Sequence, residues 1–155
     1  MTLRIQKVAD LQVDALSEIL LESKSSGFNA ISRLIADWTS GSNRFDRPGE
    51  ALFLAQQADR CIGTCGLNFD PYAKSAKVGR IRRLYVLSHY RRQGVGSSLV
   101  KQVISEACLS FEWLHVRTDS LSGDLLYRSL GFIPDLTSET VTHKLQLNAS
   151  NIDDK

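Results

Sequence analysis

Leu3, Ile5 and Lys7 alternate with Arg4, Gln6 and Val8, the period-two pattern of a first strand. Asp10 stands where a helix cap belongs, and Leu11, Leu16, Ile19 and Leu20 then share one face at helical spacing. Ala30, Ile31, Leu34, Ile35 and Trp38 predict a second amphipathic helix, closed by the polar run Thr39-Ser40-Gly41-Ser42-Asn43. Ala51 to Ala55 and Cys61 to Phe69 read as two strands joined by a short turn, hence a hairpin. Asp70-Pro71-Tyr72 breaks the second of them. Val78 to Leu87 is the next strand, but its phase slips. Ile81 points one way and Leu84 and Val86 the other, with Arg82-Arg83 between, and a β-bulge there reconciles the two. Gly94 to Cys108 carries a helical stripe of Val95, Leu99, Val100, Val103, Ile104 and Ala107. Phe111 to Val116 is a strand, and Leu121 to Leu130 a short helix that Gly131 ends as a left-handed cap. Thr140 to Leu147 is the last strand.

The order β-α-α-β-β-β-α-β-α-β predicts an α+β (mixed α/β) fold, a mostly antiparallel sheet flanked by helices. The late strand-helix-strand crossover makes one neighbouring pair parallel. The 155 residues suit one domain over 1–147, followed by a polar tail over 148–155. Three cysteines cannot form a complete disulfide framework, so a reducing, cytoplasmic setting is expected. Neither a signal peptide nor a membrane span is legible, and a net charge of +2 argues for no nucleic-acid partner. An exposed sheet edge over Thr140 to Leu147 would suit a homodimer.

Charge is nevertheless uneven. Between Pro71 and Ser105 the chain has eight basic residues and no acidic one. Inside that span a strand ends at Leu84-Tyr85-Val86, a basic loop follows, and a helix opens on Gly94 and Gly96. The first N–H groups of a helix have no intrahelical acceptor and carry partial positive charge, which suits phosphate. Gly96-Ser97-Ser98 lacks the lysine of a Walker loop, and Leu99 stands where a dinucleotide fingerprint needs its third glycine.

Arg91-Arg92-Gln93-Gly94-Val95-Gly96 resembles the Arg/Gln-x-x-Gly-x-Gly/Ala signature of the GCN5-related N-acetyltransferases (GNAT). Leu84-Tyr85-Val86 resembles that family's cofactor strand, and Leu126-Tyr127-Arg128-Ser129-Leu130-Gly131-Phe132 its later Tyr…Gly-Phe motif. The resemblance runs from Leu3 to Leu147. It implies a twisted GNAT-like sheet whose bulged cofactor strand splays from its neighbour. Acetyl-CoA would be the acyl donor and a small-molecule or protein amine the acceptor. Backbone N–H groups of Arg92, Gln93, Gly94, Val95, Gly96 and Ser97 would hold the pyrophosphate, with Arg91 in the same cofactor-binding segment. Leu84 and Val86 would pair their backbone with the pantetheine arm as an added strand, with Tyr85 between them in the cofactor-binding segment. A neutral amine would attack the thioester directly, an N–H near the bulge would receive the oxyanion, and Tyr127 would serve the departing thiolate.

Two positions depart from the family pattern. Ser120 stands where many relatives carry a cofactor-side asparagine, and Gly79-Arg80-Ile81 stands where many carry a carboxylate. Arg80 cannot act as a base. Glu22, Asp70 and His89 are the alternatives considered for deprotonation, and an acetyl-CoA sensor of weak turnover is the competing function. Cys61, Cys65, His115 and His143 read as buried thiols and ordinary strand histidines, so no metal site is expected. The resemblance implies that acceptor choice falls to Ser23–Asn43 and Asn68–Lys74, where Glu18, Glu22 and Asp37 nearby would offer charge to a cationic amine.

Overall fold

The computed structural model describes residues 2–148. Strand β1 (Leu3–Lys7) leads through a 3-10 turn at Val13–Leu16 into helices α1 (Ser17–Ser25) and α2 (Ala30–Ser40). Strands β2 (Ala51–Gln57), β3 (Arg60–Phe69) and β4 (Val78–Val86) follow, then α3 (Val95–Ala107) and β5 (Trp113–Val116). Helix α4 (Leu121–Ser129) and strands β6 (Ile133–Pro134) and β7 (His143–Gln146) complete the fold. The sheet order is β1-β2-β3-β4-β5-β7-β6, and β4–β5 is the parallel pair in an otherwise antiparallel sheet. The mixed class, the hairpin and the crossover all follow the hydrophobic pattern.

The β4–β5 pairing is short. It joins Val78 to Trp113, Gly79 to Leu114 and Arg80 to His115, and then stops, although β4 runs on to Val86. The bulge lies where the phase slip put it. Thr64 pairs with Tyr85 and Gly66 with Arg82, so Cys65 alone faces Arg83 and Leu84. Arg83 takes a left-handed φ of 61° to make that extra step. Past Arg80, β4 runs on to Val86 without a β5 partner, so that edge of the strand is open.

Helix α3 packs on β2, β3 and β4, with Leu99, Val100 and Val103 fully buried. Each such side chain contributes about 1.5–3 kcal/mol by leaving water. Gly63 faces Leu99 and Val86 on this side, whereas Gly66 faces Phe45 on the other, which belongs to α1, α2 and the loop after them.

Three details differ from the pattern. Asp10 caps no helix; it accepts from Gln12 Nε2 at 3.2 Å, because the chain enters α1 through the 3-10 turn. Strand β6 is two residues long, too short to leave a periodicity. It pairs with His143 and Lys144, so β7 is not the free edge on which the homodimer expectation rested. Of the polar tail, residues 149–155 lie outside the described residues.

Candidate active site

At the end of β4 the backbone turns through Arg92 (φ 61°) and Gly94 (φ 84°) into α3. Ser98 N–H donates to Gly94 O at 2.9 Å, the first bond of the helix, so the N–H groups of Val95, Gly96 and Ser97 precede the ladder. No side chain caps this end and its first turn holds no acid. A Cβ on Gly96 would meet Leu126 at 3.7 Å and Val86 at 3.8 Å, so the helix start sits close against β4 and α4. Arg91 and Gln93 brace the loop: Arg91 Nε donates to Val86 O at 2.8 Å and Gln93 Nε2 to His89 O at 3.0 Å. Arg92 is exposed.

The open edge of β4 has a definite polarity. Leu87 N–H donates to Ile62 O at 2.9 Å, so alternation turns the N–H and C=O of Val86 away from β3, and those of Leu84 with them. Both face the open edge. Tyr85 belongs to the other face. Its hydroxyl donates to Glu22 Oε1 at 2.6 Å, and burial, then this hydrogen bond, push the phenol up to about 12. Glu22 also accepts from Ser88 N–H at 2.9 Å and Ser88 Oγ at 3.0 Å. Burial works against its charge, but these donors hold its carboxyl below the ordinary range. Glu22 thus ties α1 to the loop and has no spare role as a base. His89 packs edge-on against Tyr90 and is exposed.

Tyr127 comes from the far side. Ser120 Oγ accepts from Gly123 N–H at 2.9 Å and so caps α4. At the other end Gly131 N–H donates to Arg128 O and Phe132 N–H to Tyr127 O, the double bond pattern of a left-handed cap. Phe132 and Tyr127 then meet edge to face at 5.3 Å. His143 adds a brace: Nε2 lies 2.7 Å from Asp124 Oδ1, and its ring lies 5.8 Å from that of Tyr127. The Tyr127 phenol is buried and makes no hydrogen bond among the described residues. Burial, with the neighbouring Cys65 thiol, pushes it well above the ordinary range. Cys65 is also the residue that faces the bulge.

A second cluster was not legible from the chain. Asp70 Oδ2 lies 2.8 Å from His115 Nδ1, and Arg80 Nη1 lies 3.5 Å from Asp70 Oδ1. His115 and Arg80 are the last register pair between β4 and β5, so the imidazole sits at the vertex of the splay. Its side chain is 19% exposed, and its Nε2 has no hydrogen-bond partner among the described residues. Sequence reasoning placed Asp70 among the bases and His115 among the strand histidines; only the sheet register joins them. The cysteines stay apart from this chemistry. Burial raises Cys61 to about 11 and Cys65 further. Among the described residues no three His, Cys, Asp or Glu side chains gather as a metal site would require.

An open strand edge beside an uncapped helix start is an arrangement that can hold an extended, anionic ligand. The Acetyltransferase (GNAT) family model matches residues 13–132, and the chain belongs to that family. A candidate acetyltransferase from Exiguobacterium sp. 255-15 is 30% identical, with 94% of each chain covered and a TM-score of 0.83. A Salmonella typhimurium candidate acetyltransferase, solved with its cofactor acetyl-CoA, superposes with a TM-score of 0.72 over 96% of each chain, at 14% identity. N-alpha-acetyltransferase 30 of Homo sapiens is 35% identical over 89 residues. That match takes in 56% of this chain and spans a quarter, 25%, of the relative's length. No helix among the described residues is long and apolar enough to cross a membrane.

Proposed function

We propose that this chain is an acetyl-CoA-dependent N-acetyltransferase that works by direct attack of a neutral amine on the thioester. The parting of β4 from β5 after Arg80, on the strand that leads into the uncapped start of α3, carries the reading. The N–H groups from Arg92 to Ser97 hold the pyrophosphate, and Leu84 and Val86 offer their backbone to the pantetheine arm as an added strand would. Arg91 releases the Val86 carbonyl as the arm arrives.

Tyr127 meets the departing thiolate. Its raised pKa keeps the proton on the phenol at neutral pH, so it serves first as a hydrogen-bond donor to developing negative charge. His115, oriented through Nδ1 by Asp70, receives the amine proton at Nε2, directly or through one water. That pair replaces the carboxylate that Arg80 displaces, and it favours an enzyme over an acetyl-CoA sensor. The name of the human relative speaks of an N-alpha acceptor, which makes a protein amino terminus an acceptor class to test first. Ser120 acts indirectly, by setting the start of α4 and with it Tyr127.

Calorimetric titration with acetyl-CoA beside Gly94→Glu tests the base of this reading. Micromolar binding to the parent chain, lost in the folded variant, is expected, followed by coenzyme A release when amines are supplied. A folded parent chain that does not bind acetyl-CoA overturns it.

A further inference from the structure

Arg82 is the last residue of β4 before the bulge. It pairs with Gly66 and shares the α2 side of the sheet with the loop after α2. There it lines a pocket of about 280 Å³ with Arg44, Arg47, Asn68, Phe69 and Glu50. Among the described residues its guanidinium has neither an ion pair nor a hydrogen-bond acceptor, although it is partly buried. The carboxylates of the pocket do not answer it. Glu50 is buried and accepts from Phe69 N–H at 3.0 Å, and Asp46 stands exposed at the rim.

The neighbours of Arg82 add to the excess. Arg80, 7% exposed, lies 3.5 Å from Asp70 and leaves its buried Nη1 without a hydrogen bond. Arg83 lies 3.5 Å from Asp37 and leaves its buried Nε without one. Burial first, then the charge of Arg82, lowers the pKa of both. Like charges on one half-buried strand segment cost stability, and an anion bound beside Arg82 would relieve that cost. The carboxylates expected to attract a cationic amine are already engaged: Glu18 by Arg60, Glu22 by Tyr85 and Asp37 by Arg83.

We propose that the amine acceptor carries a carboxylate close to its amino group, and that Arg82 reads that carboxylate. The inference rests on the transferase reading above and names its acceptor class. Two sources present this chemistry: a free amino acid, and a peptide whose first residues are acidic. In either, the amine reaches the bulge while the carboxylate falls to the pocket beside it.

Coenzyme A release with matched acceptors tests it. One arm compares an amino acid with its carboxamide, the other a short peptide beginning with glutamate against the same peptide beginning with glutamine. The carboxylate member of at least one arm is expected to show a kcat/KM roughly ten-fold or more above its partner, the scale of one charge-assisted hydrogen bond. The arm that shows it identifies the source. In Arg82→Gln the ratio falls toward one, and in Arg82→Glu it inverts. Arg4→Gln, which removes the same charge on distant β1, keeps it. Equal rates within both pairs, or an undiminished ratio in Arg82→Gln, overturn the inference while the transferase reading stands. A folded chain that binds acetyl-CoA yet acetylates no member of either pair overturns both.

Discussion

Asp70 Oδ2 and His115 Nδ1 lie 2.8 Å apart at the point where β4 leaves β5. On the transferase reading proposed above, this contact directs His115 as the base. A carboxylate on one ring nitrogen fixes the tautomer and leaves the other nitrogen to accept a proton. His115→Gln keeps the volume and removes the basicity. Its kcat/KM is expected to fall by about a hundred-fold or more while acetyl-CoA affinity holds. A kcat/KM that survives the substitution would assign the proton to another group.

Asp70 also carries a structural load, which separates it from its partner. Its side chain is 1% exposed and it is the carboxylate nearest the buried Arg80. Asp70→Asn leaves that guanidinium without a countercharge and is expected to cost about 3–5 kcal/mol in a denaturant titration. His115→Gln, with its ring position 19% exposed, is expected to cost much less. Equal losses for the two variants would mean that the pair is held only by its hydrogen bond.

For Tyr127 the expectation is a kinetic defect without a binding defect. Tyr127→Phe keeps the edge-to-face contact with Phe132 and deletes only the hydroxyl, so coenzyme A release should slow by about a hundred-fold at unchanged acetyl-CoA Kd. The raised phenol also predicts that the parent enzyme shows no loss of kcat from phenol ionisation below about pH 10. Unchanged turnover in the variant would remove Tyr127 from the reaction.

How far the chain announces these features depends on whether they are local. The bulge was visible because Ile81 and Leu84 fall out of phase, and the α4 cap because Gly131 follows a helical stripe. Both are local, and the structure has them where the pattern does, with Arg83 at φ 61° and Gly131 at φ 94°. The Asp70–His115 contact joins residues 45 apart through a parallel register that no periodicity encodes. Strand β6 escaped because two residues carry no period, and the crowded charge around Arg82 is seen only when the sheet places Asp37 and Asp70 beside its neighbours. Tyr85 shows the same limit, since its place on the α1 side needed both the bulge and the position of Glu22.

Gly66 tests the packing that supports the bulge. A Cβ there would lie 2.3 Å from Phe45 Cε1, and Phe45 is itself held at a left-handed φ of 52°. Phe45 is buried, so the ring has little room to move. Gly66→Ala should therefore destabilise by about 1–3 kcal/mol, the usual cost of overfilling a packed site. Because Gly66 pairs with Arg82, the same variant should loosen the acceptor side more than acetyl-CoA binding. A midpoint equal to that of the parent chain would show that the loop after α2 yields freely.

Glu22 joins α1 to the end of β4 and the loop before α3 through Tyr85 and Ser88. Its carboxyl is held below its ordinary value, so the folded chain keeps the charged form to a lower pH than the unfolded chain does. The stabilisation is thus complete above the unfolded value of about 4.3 and disappears as pH falls through the lower folded value. Glu22→Gln places a donor where Tyr85 and Ser88 already donate, and should cost about 1–2 kcal/mol near neutral pH. The cost should shrink below pH 4, where the parent carboxyl takes up its proton. Acetyl-CoA affinity should weaken several-fold in the variant, because Ser88 and Arg91 lie in the loop that aims the start of α3. Melting curves of both proteins from pH 3 to 8 decide the matter. A gap in Tm that stays constant down to pH 3 would show that the Glu22 charge contributes nothing and that only the shape of its side chain counts.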